Sequence, residues 1–353
     1  MEGNMRYKKQ IIGTLEKCYS LSSLEVGGRP YLLVAAEKHA PCERFDPAGN
    51  LLDEVWKEPG GVMTMVAVPG KDGTFLATHQ FYSPNDSKEA KLVCARKVGE
   101  TWKTTTLAEM PFVHRFDIIP AGGVNYILAC TLKSGHAYKN DWSSPGKLYM
   151  GVLGDDPEKP VQFSTLLEGL GHNHGYTRYE ECGKISGIVS CDQGVFRITP
   201  PETPARSWRV EQLMDQPASD AVLIDMDGDG QPELLTISPF HGDTVTIWRQ
   251  DRDVYMPVYE YPEKLPFLHA ICSGTIYGRP TVYVGNREGD RLLLGFWWDS
   301  DSGCFQAETV DRGAGPANCM LFNRAGHPAL LAANRETNEI AVYDILPDGG
   351  KCD

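Results

Sequence analysis

Histidine and carboxylate side chains give this chain its most chemically suggestive residues. Nine histidines are present, including the closely spaced run His172-Asn173-His174. Neutral imidazole is the commonest protein ligand for zinc, manganese, iron, nickel or cobalt, and it titrates near physiological pH. Three such ligands with an open fourth position make a catalytic metal site. Residues i and i+2 on a regular strand share a face, so His172 and His174 can both reach one region. A second constellation is Asp225-Met226-Asp227-Gly228-Asp229-Gly230-Gln231-Pro232-Glu233. Oxygen side chains at alternate positions, two glycines for the turn and a closing acid suit a hard cation such as Ca²⁺. Its ligands would be Asp225, Asp227, Asp229, Gln231 and Glu233. An EF-hand loop needs Glu at its twelfth position, where Thr236 stands here. The flanks Ala221–Ile224 and Leu234–Ile237 read as short strands, so the expected role of this ion is to brace a strand–loop–strand turn. No GxSxG, Walker loop or dinucleotide fingerprint accompanies either constellation.

The elements that must position these residues read as strands throughout. Short apolar runs alternate with Gly, Pro, Asn and Asp clusters, and amphipathic helical patterns of useful length are missing. A weak repeat of roughly 40–50 residues implies a propeller. Seven inner strands begin near Tyr19, Val62, Val113, His174, Asp220, Leu268 and Asn318. Each is followed by a second apolar strand, such as Tyr31–Val34, Tyr126–Ala129 or Thr281–Val284. The last unit stops after a third strand near Ile340–Asp344. Residues Tyr7–Gly13 have the composition of the other fourth strands and can complete it, which closes the ring and removes its edges. The expectation is an all-β, seven-bladed β-propeller spanning residues 1–353 as a single domain. Six or eight blades, or a pair of β-sandwiches, are the alternatives; the long unit from Phe112 to Gly171 has room for extra strands.

This alignment gathers the histidines. Starts of inner strands and ends of second strands share one face of a propeller. His114, His172, His174 and His269 fall at the former; His79, His136, His241 and, further out, His39 fall at the latter. The same face receives Arg115, Lys133, Tyr138, Tyr176, Arg178, Arg287, Glu288 and Glu336. His327 falls on the opposite face, with the Asp225–Glu233 loop. The expected metal ligands are His114, His174, His269 and His172. His136, His241, Tyr138, Lys133 and His79 are the candidate acid–base residues. Arg178, Tyr176, Arg115, Arg287, Glu288 and Glu336 are the candidates for holding substrate.

Bulk properties exclude some partners. The formal net charge is −13, which disfavours nucleic acid and anionic membranes. No run is long enough to span a bilayer. Met1–Lys8 has no apolar stretch of the signal-peptide kind. The ten cysteines are scattered without a CxxC, and they are expected to be reduced thiols in a cytoplasmic protein.

The Asp225–Glu233 loop resembles the FG-GAP/VCBS repeat, in which such a loop joins the two inner strands of a propeller blade. Together with Phe112-Val113-His114-Arg115-Phe116-Asp117 and Gly171-His172-Asn173-His174-Gly175, it is similar to the propeller of the aldos-2-ulose dehydratase group. That resemblance implies elimination of water from a keto-sugar with the help of a divalent metal. The expected function is therefore a metal-dependent lyase or isomerase for a small carbohydrate, acting by proton removal beside a carbonyl. A non-catalytic carbohydrate- or protein-binding propeller and a metal-dependent hydrolase are the competing readings.

Overall fold

The computed structural model describes residues 5–347; the tail from Asp348 lies outside them. Among the described residues there is no helix, and 28 strands form seven four-stranded antiparallel sheets. Blades 1 to 7 start with the inner strands Cys18–Val26, Met65–Ala67, Val113–Ala121, Gly175–Glu181, Asp220–Ile224, Leu268–Ile276 and Asn318–Arg324. Blade 7 is completed by Met5–Thr14, which pairs antiparallel with Glu339–Pro347 from Met5 opposite Pro347 to Thr14 opposite Glu339. The first and last described strands thus share one sheet, as expected. The long third unit is an ordinary blade: Val113–Ala121, Val124–Lys133, Pro145–Leu153 and Phe163–Leu170. Its extra length lies in the connections after Lys133 and Leu153.

The second strand of each blade reads as a continuous apolar run because neighbouring blades cover both its faces. Leu32, Leu33, Val34 and Ala35 are all essentially inaccessible, as are Ile127, Leu128 and Ala129. Seven apolar clusters fill the seven seams. Leu15, Val34 and Phe45 of the first blade region meet Leu331 and Val342 of the last, and Tyr283 and Leu293 of blade 6 meet Leu330 and Ile345 of blade 7. Each fully buried Leu or Val contributes about 1.5–3 kcal/mol of transfer free energy, so the ring is held by its seams rather than by one central core.

One expected site residue belongs to a seam. His79, at the end of Thr74–His79, is 3 % exposed and packs edge-on against Trp56 with ring centroids 4.6 Å apart. Burial, then the Lys91 ammonium, hold its imidazole down to about 4, against about 6.5 in an unfolded chain. Between those values the unfolded chain takes up a proton that the folded protein refuses. This contribution is complete above about pH 6.5 and is lost as pH falls through the window, at about 1.4 kcal/mol per pH unit. Denaturant unfolding at pH 7 and pH 4.5 should therefore show the parent protein losing about 2 kcal/mol more than His79→Gln. Equal losses would contradict a neutral, buried His79.

Candidate axial metal centre

The start of each inner strand places one residue at the axis: Tyr19, His114, Asp220, His269 and Asn318, with Thr64 and His174 just ahead of the blade 2 and blade 4 strands. The aromatic and imidazole members are aimed by a repeated local device. In three inner strands the pairing register slips at the ring residue itself, between Cys18 and Ser20, Val113 and Arg115, and Leu268 and Ala270. Tyr19, His114 and His269 are thus bulged out of their ladders, which is how a bulge redirects a side chain. Two residues upstream of Tyr19, His114, His174 and His269 the backbone is left-handed: Lys17 at φ 51°, Phe112 at 64°, His172 at 43° and Phe267 at 57°. Non-glycine residues rarely adopt that region, and such strain collects at functional sites.

One ligand atom each from His174, His241 and His269 lies within 4.8 Å of the others. His174 and His269 are about 1–2 % exposed, and His241 is half-buried. Hydrogen bonds fix which nitrogen faces inward. Nδ1 of His174 donates to Asp220 Oδ2 at 2.9 Å, with Ser219 Oγ 3.3 Å away and itself donating to the same carboxylate. Nδ1 of His269 donates to the Ala317 carbonyl at 2.7 Å. A proton on Nδ1 leaves the lone pair on Nε2. Nε2 of His174 and of His241 is buried with no hydrogen-bond partner. Burial, then the neighbouring His174, push the His241 imidazole down to about 2 and that of His269 well below its usual range, so both are neutral at physiological pH. Three convergent imidazoles, each able to present one ring nitrogen to a common point, fit a divalent transition metal, and the His174–Asp220 pair is the outer support such ligands carry. Asp220→Asn keeps the shape and removes the charge; metal affinity should fall about 10–100-fold, measured by competition with a chromophoric chelator. Unchanged affinity would mean that Asp220 does not support the ligand.

Around this cluster stand two groups that could move protons. The Tyr19 hydroxyl lies 3.1 Å from His269 Nε2 and 3.5 Å from His114 Nε2. Burial raises the Tyr19 phenol to about 12. His114 donates from Nδ1 to the His174 carbonyl at 3.3 Å, and burial followed by His174 holds it neutral. On the outer side the rings of Trp142, His172, Phe240, His241 and Phe267 follow one another at centroid distances of 4.3, 4.5, 3.9 and 4.5 Å, and this row shields the cluster from water.

The structure brings together some of the expected residues and separates others. Of the four expected ligands, His174 and His269 are joined by His241 rather than by His114 or His172. His172 sits in the aromatic row with Nδ1 2.7 Å from Asp192. His241, expected as an acid–base group, stands among the ligands. His136 packs against Phe112, and Tyr138 is 68 % exposed; neither joins the cluster. Lys133 is buried under Trp142, donating to Asn85 Oδ1 at 2.9 Å and the Asp141 carbonyl at 3.0 Å. Arg178 and Tyr176 both donate to Asp117 of the neighbouring blade, so they tie blades rather than await substrate. Arg287 is paired with Glu336 at 2.8 Å and covers Phe267, and Glu288 is exposed. Arg115 crosses the axis beside Tyr19.

In the loop opposite, the carboxylates of Asp225, Asp227 and Asp229 also lie within 4.8 Å of one another. Gly228 and Gly230 have φ of 78° and 87° and donate their N–H groups to Asp225 at 2.8 and 3.0 Å. Gln231 is exposed. Glu233 is buried and faces elsewhere, accepting from Met226 N at 2.8 Å and Arg249 Nε at 2.9 Å. Arg249 also donates to Asp227. This arginine, sixteen residues beyond Glu233, was not visible as part of the loop from its spacing.

No protein-family model and no curated protein matches the chain. Solved structures share its fold. The β-propeller domain of Cps50 (Swd1) from Myceliophteria thermophila aligns with a TM-score of 0.61 and 10 % identity over 95 % of this chain and 99 % of that one. A putative 6-phosphogluconolactonase from Bacteroides uniformis aligns with a TM-score of 0.56 and 15 % identity, over 89 % of this chain and 87 % of that one. At these identities the likeness is one of architecture, and function rests on the site.

Proposed function

We propose that this propeller is a metal-dependent lyase or isomerase for a keto-sugar or related hydroxy-carbonyl compound, with its metal held by His174, His241 and His269. The observation that carries the reading is the convergence of three imidazoles, two with unpartnered buried Nε2 atoms. A divalent transition metal there would supply Lewis acidity toward a carbonyl oxygen. Neutral His114 would accept a proton from the carbon beside that carbonyl. Tyr19, protonated across the physiological range, would donate one to the departing hydroxyl in elimination, or to the former carbonyl carbon in isomerisation. Phe240 and Phe267 would exclude water. This reading draws on the resemblance to the aldos-2-ulose dehydratase group, and one propeller of the same architecture is a putative 6-phosphogluconolactonase, named for a sugar-derived lactone. We further propose Ca²⁺ among Asp225, Asp227 and Asp229, within a repeat of FG-GAP/VCBS type, and a cytoplasmic location for a chain whose described cysteines are free thiols. Among the described residues no helix is long and apolar enough to cross a membrane.

A panel of keto-sugars and anhydro-keto-sugars incubated with metal-loaded protein tests the function. Appearance of an enone chromophore or of an isomeric sugar supports it; no turnover of any member by fully loaded protein contradicts it. The near-complete burial of His114, His174 and His269 favours a second reading, in which the metal only braces the axis of a binding propeller. Azide added to the cobalt-substituted protein separates the two. A spectral change requires an open coordination position, and a closed structural site gives none.

A further inference from the structure

Arg115 follows His114 in the bulged inner strand of blade 3, and its guanidinium reaches across the axis. Nη1 donates to the Met63 carbonyl of the blade 2 entry at 3.0 Å, and Nη2 donates to Asn318 Oδ1 of blade 7 at 3.2 Å. Its third neighbour is the ring of Tyr19 in blade 1, with the guanidinium carbon 5.9 Å from the centroid. All these partners are neutral. The other arginines close to the axis are compensated: Arg178 by Asp117, Arg287 by Glu336, and Arg335 by Glu37 and Glu336. Among the described residues Arg115 has no carboxylate within ion-pair distance. In a chain of net charge −13 a half-buried, unmatched cation at the axis calls for a counter-charge, because a desolvated charge is costly when unpaired.

The place for that counter-charge is beside it. A cavity of about 150 Å³ is lined by Ser20, Met63, Thr64, Arg115, Asn318 and Met320 among others. Leu21, Thr64, Asn318 and Met320 are half-exposed, so the cavity communicates with solvent along the channel. A guanidinium has five N–H donors in a planar fork. The two bonds to Met63 and Asn318 hold the fork in place and leave three donors for a ligand, a geometry that matches the two oxygens of a carboxylate or phosphate.

We propose that this axial cavity is a binding site for a small oxyanion, a carboxylate or phosphate group, anchored by Arg115. The anion is either free or borne by a larger molecule whose body extends along the channel. The site is built without His174, His241 or His269, so it does not depend on the metal centre.

Isothermal titration with acetate, inorganic phosphate, glucuronate and neutral glucose tests it, on the parent protein and on Arg115→Gln and Arg115→Lys. The parent should bind one equivalent of at least one of the three anions and no glucose. Arg115→Gln should weaken that binding at least about tenfold, as expected for a lost charge-assisted bidentate contact. Arg115→Lys, which retains the charge, should weaken it less. Tighter binding of glucuronate than of acetate assigns the anion to a sugar; equal or tighter binding of acetate or phosphate assigns it to a free ion; both support the site. Absence of binding to the parent protein would overturn it. So would undiminished binding by a folded Arg115→Gln, with thermal melting checking that this variant is folded. Titration of His174→Ala, whose metal centre is broken, separates this inference from the proposed function: anion binding persists there even if the metal reading is wrong.

Discussion

His241→Asn should empty the axial centre of its transition metal while leaving the propeller folded. His241 is half-buried, and its Nε2 has no hydrogen-bond partner, so shortening it strands no donor or acceptor at that atom. Its backbone is left-handed at φ 47°, a region asparagine tolerates far better than alanine. The shorter amide withdraws the ligand atom from Nε2 of His174 and His269. Two imidazoles remain, and affinity should drop by more than the roughly 10–100-fold that an outer-sphere change brings. The melting temperature measured on metal-free protein should change little, whereas the stabilisation gained on adding metal should vanish, since a ligand stabilises only what it binds. If the variant retains full metal, His241 is not a ligand, and the cluster is a set of packed imidazoles.

Tyr19→Phe carries the second large effect. Its hydroxyl stands 3.1 Å from a proposed ligand atom and 3.5 Å from His114, and it is the donor best placed to protonate a leaving group. Removing it should lower kcat by about 10²–10⁴-fold, the range for loss of a positioned general acid. Metal content should stay unchanged, because His174, His241 and His269 all remain to hold the ion. The phenol is raised to about 12, so it remains a donor through mildly alkaline pH. The alkaline limb of the parent's pH–rate profile should therefore not come from this group below about pH 11. A variant with full turnover would remove Tyr19 from the chemistry.

The ring and its closure were legible from the chain because both rest on composition and period. Second strands are buried on two faces, as at Leu32, Leu33 and Val34, and so read as apolar runs. The fourth-strand character of Tyr7–Gly13 survives even though its partner lies more than three hundred residues away in the sequence. The histidine face was legible for the same reason, since it follows from strand direction. Which histidines converge was not. Tyr19, His114 and His269 are aimed by bulges, and a bulge is one residue of register that periodicity cannot resolve. Tyr19 stood at the same ring position as the histidines, and that position was the signal available. His79 packs on Trp56 and Lys133 lies under Trp142, because strand ends that share a face can still turn their side chains away from the axis. The contacts of Arg178 and Tyr176 with Asp117 cross from one blade to the next, a pairing that sequence spacing does not reveal.

The Asp225–Glu233 loop and the histidine cluster are ends of one element. Asp220–Ile224 starts with the carboxylate that holds His174 and runs directly into Asp225, a span of about 16 Å at about 3.3 Å per residue. An ion in the loop would thus fix the strand whose first residue orients a ligand on the opposite face.

The central claim is that the axis binds a transition metal through His174, His241 and His269. Elemental analysis by mass spectrometry on purified protein, beside His241→Asn prepared identically, tests it most directly. The account predicts one transition metal and one calcium per parent chain, with the transition metal lost and the calcium kept in the variant. Parent protein that takes up calcium alone, even after incubation with zinc, manganese, iron, nickel and cobalt salts, would contradict it.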